Sequence, residues 1–105
     1  MLLTTTNSIQ GKLINNYIGI ITATVYVKPN TSKGMSFMDH FKTEKIYENA
    51  EEGIEAGKKE AFEKLAILAK EKQAMAVIGI SMDMEITRDG LTRAISVMGT
   101  AVSYE

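Results

Sequence analysis

Cysteine is absent from this chain of 105 residues. That excludes disulfides, thiolate nucleophiles and Cys-ligated zinc or iron–sulfur centres. Histidine occurs once, as His40, so any Ser-His-Asp arrangement would depend on that one imidazole. An excess of either charge is also missing: 12 Lys and Arg stand against 13 Asp and Glu, for a formal net charge of −1. The electrostatic footprint of a nucleic-acid binder or a polybasic membrane module is therefore lacking. The longest uncharged apolar-rich run, Tyr17 to Val27, has eleven residues, against the ~20 that a membrane helix requires. Met1 to Thr6 carries no basic n-region and no cleavage site, so the reading is a cytoplasmic protein. Proline occurs once, at Pro29, and no linker, internal repeat or low-complexity stretch is visible.

What remains is the composition of an ordinary folded domain, 45% hydrophobic and 24% charged. The length suits one domain over residues 1–105, with a single modest core.

The clearest pattern lies between Ala76 and Tyr104. Asp89-Gly90 reads as a two-residue type I′ turn, which needs φ > 0 at both central positions. With Arg88 opposite Leu91, Met84 faces Ile95, Met82 faces Val97 and Ile78 faces Ala101. Ala76, Ile78, Ile80, Met82, Met84 and Ile86 then form one apolar row. On the other face the same register pairs Val77 with Val102, Met75 with Tyr104, Ser81 with Met98 and Asp83 with Ser96. That face is apolar near the chain end and polar near the turn. A single helical layer covers only one face of a sheet, so a subunit contact around Val77, Val102 and Tyr104 is expected.

Upstream, a short strand is expected over Leu2 to Thr6 and a long one from Leu13 to Lys28, stopped by Pro29. Period-two alternation puts Ile18, Ile20, Thr22, Thr24 and Tyr26 together on a mixed face. Met35 to Lys42 reads as a short helix. Asn49 to Lys72 reads as a long one, with Ile54, Ala61, Phe62, Leu65, Leu68 and Ala69 as its core stripe. Gly53 and Gly57 weaken its first turns by roughly 1 kcal/mol each. The expected class is α+β in β-β-α-α-β-β order, an antiparallel sheet with helices on one face.

Three blocks resemble the YbjQ-type family of small bacterial and archaeal proteins. They are Tyr17-x-Gly19-x-x-Thr22; Glu60-Ala61-Phe62-x-x-Leu65 continuing to Ala74-x-Ala76-Val77-Ile78-Gly79-Ile80; and Ile95-Ser96-Val97-x-Gly99-Thr100-Ala101-Val102. The resemblance implies a dodecin-like subunit assembled as a homo-oligomeric ring, a pentamer, under the label "putative heavy-metal-binding". The chain departs from the family at Gln73 and Met75, where Gly and an acidic residue are common, and at Ala23-Thr24, where Gly-Glu is common. Those departures remove polar ligand groups.

Few residues suggest chemistry. Gly19, Gly79 and Gly99 interrupt β-branched strands, where glycine marks a bulge, a bend or close packing; a small-ligand cleft is the alternative. His40 follows Asp39, but helix neighbours at i and i+1 point apart, and zinc takes three or four protein ligands. Asp83, Glu85 and Asp89 are the best acidic cluster. The first two share a strand face and are placed to share a hard cation, although one chain supplies few of the oxygens that Ca²⁺ takes. The 7 methionines include Met82 and Met84, which the apolar row assigns to the core. Ser81 and Ser96 have no His partner in the pattern.

No catalytic residues, metal ligands or cofactor are therefore assigned, and no enzyme is expected. The sequence points to a homo-oligomeric protein that binds a small ligand or serves as a scaffold, without nucleic-acid or membrane partners. The alternative is a metal-binding protein using acidic residues from several subunits.

Overall fold

The computed structural model describes residues 1–28 and 43–105, the side chains of residues 43–52 excepted. Its elements are β1 (Leu2–Leu3), β2 (Ile14–Val27), α1 (Thr43–Glu71), β3 (Ala76–Ile86) and β4 (Arg93–Tyr104). The sheet runs β1-β3-β4-β2. β4 pairs antiparallel with both β2 and β3, whereas β1 lies parallel to β3, so the sheet is mixed rather than purely antiparallel. The class is α+β, with one helix among the described residues. The short helix expected over Met35 to Lys42 lies outside them.

α1 begins at Thr43, upstream of the expected Asn49. Its two glycines do not delay the start, and Gly57 has a packing role. A Cβ there would run into the side chains of Val27 and Ile95, so the missing methyl lets the helix lie close on the sheet. Ala61, Leu65 and Ala69 then bury against Ile21, Ala23 and Val25 of β2, Ile95, Val97 and Ala101 of β4, and Val77 and Ile80 of β3. This stripe is the core, and it holds one face of the sheet.

Between the turn and Ser81 the expected hairpin register holds: Met84 faces Ile95, Met82 faces Val97, and Ser81 faces Met98. Beyond it the register slips by one, with Ile78 opposite Thr100 and Val77 opposite Ala101. A bulge at Gly79 is the cause. Gly79 adopts φ +61°, a left-handed conformation that costs a glycine little. Its N–H donates to the Thr6 carbonyl at 2.8 Å, and the Ile80 N–H donates to the Thr4 carbonyl at 3.1 Å. The N-terminal segment thus supplies partners for the displaced backbone.

The slip splits the expected apolar row. Val77 and Ile80 join the helix-side core, while Ala76, Ile78 and Val102 form a second cluster on the other face. Ile9, Ile14 and Tyr104 pack over that cluster, and the Lys12 ammonium sits 5.6 Å from the Tyr104 ring centre. The expected subunit surface at Val77 and Val102 is therefore corrected: both side chains are fully buried by their own chain.

The turn is also not the expected two-residue type. Thr87 N–H donates to the Thr92 carbonyl at 2.9 Å and Gly90 N–H to the Thr87 carbonyl at 2.9 Å, which leaves Arg88 to Leu91 as the loop. Only Gly90 among these has positive φ, so the type I′ geometry is excluded.

Candidate functional site

Alternation along β2 buries Ile21, Ala23 and Val25 under the helix and turns Thr22, Thr24 and Tyr26 to the open face. The strand pairing lines each of them up with partners on β4 and β3. Thr22 lies beside Met98 and then Ser81; Thr24 beside Ser96 and then Asp83; Tyr26 beside Ala94 and then Glu85. The Thr24 and Ser96 hydroxyl oxygens are 3.1 Å apart, within hydrogen-bond distance. Around them lies a concavity of about 410 Å³ lined by Thr22, Thr24, Ser81, Asp83, Ser96 and Met98. Three strands thus bring four hydroxyls and one carboxylate to a single surface, with Met82 and Met98 beside them.

Each hydroxyl both donates and accepts, and Asp83 as a carboxylate only accepts. No fixed cation lines the concavity. Beside it Tyr26, 69% exposed, and Ile20, 73% exposed, offer large apolar surfaces to solvent. The arrangement suits a small ligand rich in hydrogen-bond donors, with a flat or apolar part to lie on the neighbouring side chains.

Of the residues expected on this face, Ile20, Thr22, Thr24 and Tyr26 are there. Ile18 is not: an irregularity between Tyr17 and Gly19 turns it toward the helix-side core. Gly79 marks the bulge described above, and Gly99 lies buried under Val77 and Ile80, where a Cβ would collide with both side chains. All three strand glycines are thus accounted for by backbone irregularity or close packing.

The expected acidic trio separates. Asp83 and Glu85 share the open face, but Asp89 is taken up by its own loop. Its Oδ1 accepts from the Thr87 hydroxyl and the Leu91 and Thr92 N–H groups, each at 2.8 Å, and its Oδ2 accepts from the Thr92 hydroxyl at 2.6 Å. The Thr92 hydroxyl, followed by the Thr92 and Leu91 amides and the Thr87 hydroxyl, holds this carboxyl well below the usual carboxylate range. Among the described residues no three His, Asp or Glu side chains gather as a metal site. His40 lies outside them.

Met82 and Met84, expected in the core, are 45% and 44% exposed. The helix packs chiefly over β2 and β4 and only slightly over β3, so the turn-side half of β3 is left uncovered. Periodicity along one strand could not reveal this, because it depends on which strands lie under the helix. The convergence of Thr24 with Ser96 and Asp83 was equally hidden, since it requires knowing that β2 flanks β4.

The family model described as "Putative heavy-metal-binding", of the YbjQ type, matches residues 1–105. A UPF0145 protein of Anoxybacillus flavithermus is 34% identical over 108 residues, covering 100% of this chain and 99% of its own. Another from Bacillus cereus is 35% identical over 107 residues, covering 97% of this chain and 98% of its own. One from Geobacillus kaustophilus is 34% identical, with 97% and 96% covered. The crystal structure of a DUF74-family protein of unknown function from Pediococcus pentosaceus has a TM-score of 0.65 at 18% identity, with 100% of this chain and 98% of that chain covered. At that identity the likeness speaks for the fold. On the strength of the full-length family match and the curated relatives, the chain belongs to the YbjQ family, which here includes the UPF0145 proteins.

Proposed function

We propose that this chain is a ring-forming homo-oligomer, a pentamer of dodecin-like subunits, that holds a small polar ligand on the open face of each sheet. The observation that carries the reading is the gathering of Thr22, Thr24, Ser81, Ser96 and Asp83 around one concavity. Exposed Tyr26 and Ile20 flank these groups, so hydrogen-bonding and apolar surface lie side by side there. The ligand class is a small molecule with several N–H or O–H donors, neutral or cationic.

Self-assembly has its own support. β2 is an outer strand of 14 residues without a charge or a proline, features that ordinarily protect a sheet edge. On the opposite side β1 covers only the start of β3, leaving Ser81 to Ile86 unpaired on that edge among the described residues. Among the described residues, two different free edges on opposite sides of one subunit favour head-to-tail association, which gives a ring when the rotation closes. β2 and β3 run in the same direction, so a closed array would join them in parallel. The same array would repeat Asp83 and Glu85 around an axis, and a metal-binding role would draw its ligands from there.

The reading is tested by native mass spectrometry of the freshly purified chain and of a Thr24→Val, Ser96→Ala variant. The expected result is a multimer in both, with a retained small mass present in the parent and diminished in the variant. Retention unaffected by the substitutions overturns the site.

A further inference from the structure

We propose a second binding site, on the helix side of the sheet, that takes a small amphipathic anion of the straight-chain carboxylate class. It goes beyond the proposed open-face site and does not depend on it. Because the helix lies over β2 and β4, a cavity of about 540 Å³ remains between the N-terminal segment, α1 and β3. Leu3, Phe62, Ile80 and Met82 supply apolar walls from three elements, and Lys58, Thr4 and Thr5 supply the polar atoms. The volume falls within the range of about 300–1,000 Å³ that small-molecule pockets occupy.

The distribution of polarity specifies the ligand. Among the lining residues Lys58 is the one charged group, so a ligand that fills the cavity meets mainly apolar surface and one ammonium. Lys58 Nζ stands 3.0 Å from Glu55 Oε1, in an exposed pair one helical turn apart. Such a surface pair is weak, so the ammonium can turn from Glu55 to a carboxylate headgroup at little cost. The neighbouring surface of α1 carries Lys58 and Lys59 against Glu55 and Glu63, two charges of each sign, and is neutral as a whole. Met82, 45% exposed, is an unbranched thioether well suited to lie along an alkyl chain.

The test is calorimetric titration of the full-length protein with hexanoate, octanoate and decanoate below their micellar concentrations, with 1-octanol as the uncharged comparison. Affinity should rise about fourfold per added methylene until the cavity is filled. Octanoate should bind more tightly than 1-octanol. Lys58→Gln should remove that advantage while leaving 1-octanol binding unchanged. Met82→Glu, at an exposed position that leaves the core intact, should abolish carboxylate binding, whereas Thr24→Val on the opposite face should not affect it. Circular dichroism of each variant establishes that it is folded. The proposal is overturned if no carboxylate binds at millimolar concentration, if affinity is independent of chain length, or if Lys58→Gln weakens acid and alcohol equally. The carboxylate titrations and Lys58→Gln do not bear on the open-face site, which Met82 also borders and which the Thr24→Val, Ser96→Ala variant tests separately.

Discussion

Thr24 on β2 and Ser96 on β4 face each other on the side of the sheet away from the helix, their hydroxyl oxygens 3.1 Å apart and beside Asp83. An exposed hydrogen bond of this kind adds little to folding, on the order of 1 kcal/mol or less. Its position is better explained by recognition than by stability. Replacing the pair by Val and Ala should therefore shift the urea midpoint only slightly while lowering retention of the bound molecule. A stability loss of several kcal/mol would show the hydroxyls to be structural.

Gly57→Ala should destabilise the chain although alanine is the better helix former. The added methyl gains about 1 kcal/mol of helix propensity. It also strikes Val27 and Ile95 in the contact with the sheet, and overpacking of that sort costs about 1–3 kcal/mol. Chemical denaturation should show a net loss. A gain would mean that the helix moves off the sheet freely.

Asp89 couples the hairpin loop to pH. Its folded pKa is depressed by the Thr92, Leu91 and Thr87 donors, so it contributes stability above its unfolded pKa of about 3.9. That contribution is lost as the pH falls below about 4 and on through the lower folded value. Asp89→Asn should therefore be less stable than the parent at neutral pH, with the difference shrinking under acid. Amide exchange at Leu91 and Thr92 should be faster in the variant. A stability difference that stays constant from neutral pH to about pH 2 would contradict this role.

How far the sequence carried is clearest at the hairpin. Asp89-Gly90 announces a turn, and alternation sets the pairing from Ile86 back to Ser81, so that half was legible. The loop geometry was not. Thr87 and Thr92 flank an Asp whose carboxylate binds both of them, and those side-chain bonds favour a longer loop over the minimal one. Nor could the bulge be placed, because Gly79 needs the carbonyls of Thr4 and Thr6 beside it, contacts far apart in the chain. Its effect reached furthest: one extra residue moved Val77 to the helix side and Ala76 and Ile78 to the other. On the open face, Thr22, Thr24 and Tyr26 were legible from period two alone, whereas their meeting with Ser96 and Asp83 depends on strand order.

Gly79→Ala follows from the same relationship. The left-handed φ of +61° disfavours an L side chain, by about 1–2 kcal/mol. Relief of that strain would straighten the strand and return the hairpin to its unslipped register. The variant should lose stability and withdraw Val77 from the helix-side core. An alanine variant as stable as the parent, with unchanged amide exchange near Ile78, would show that the bulge does not depend on glycine.

The central claim, an assembly that carries a ligand on the open sheet face, is met most directly by native mass spectrometry of the untreated protein. The account predicts a pentamer whose mass exceeds that of its chains by a small bound molecule, with the excess lost in the Thr24→Val, Ser96→Ala variant and the pentamer kept. A single-chain mass, or a bound mass that survives both substitutions, would contradict it.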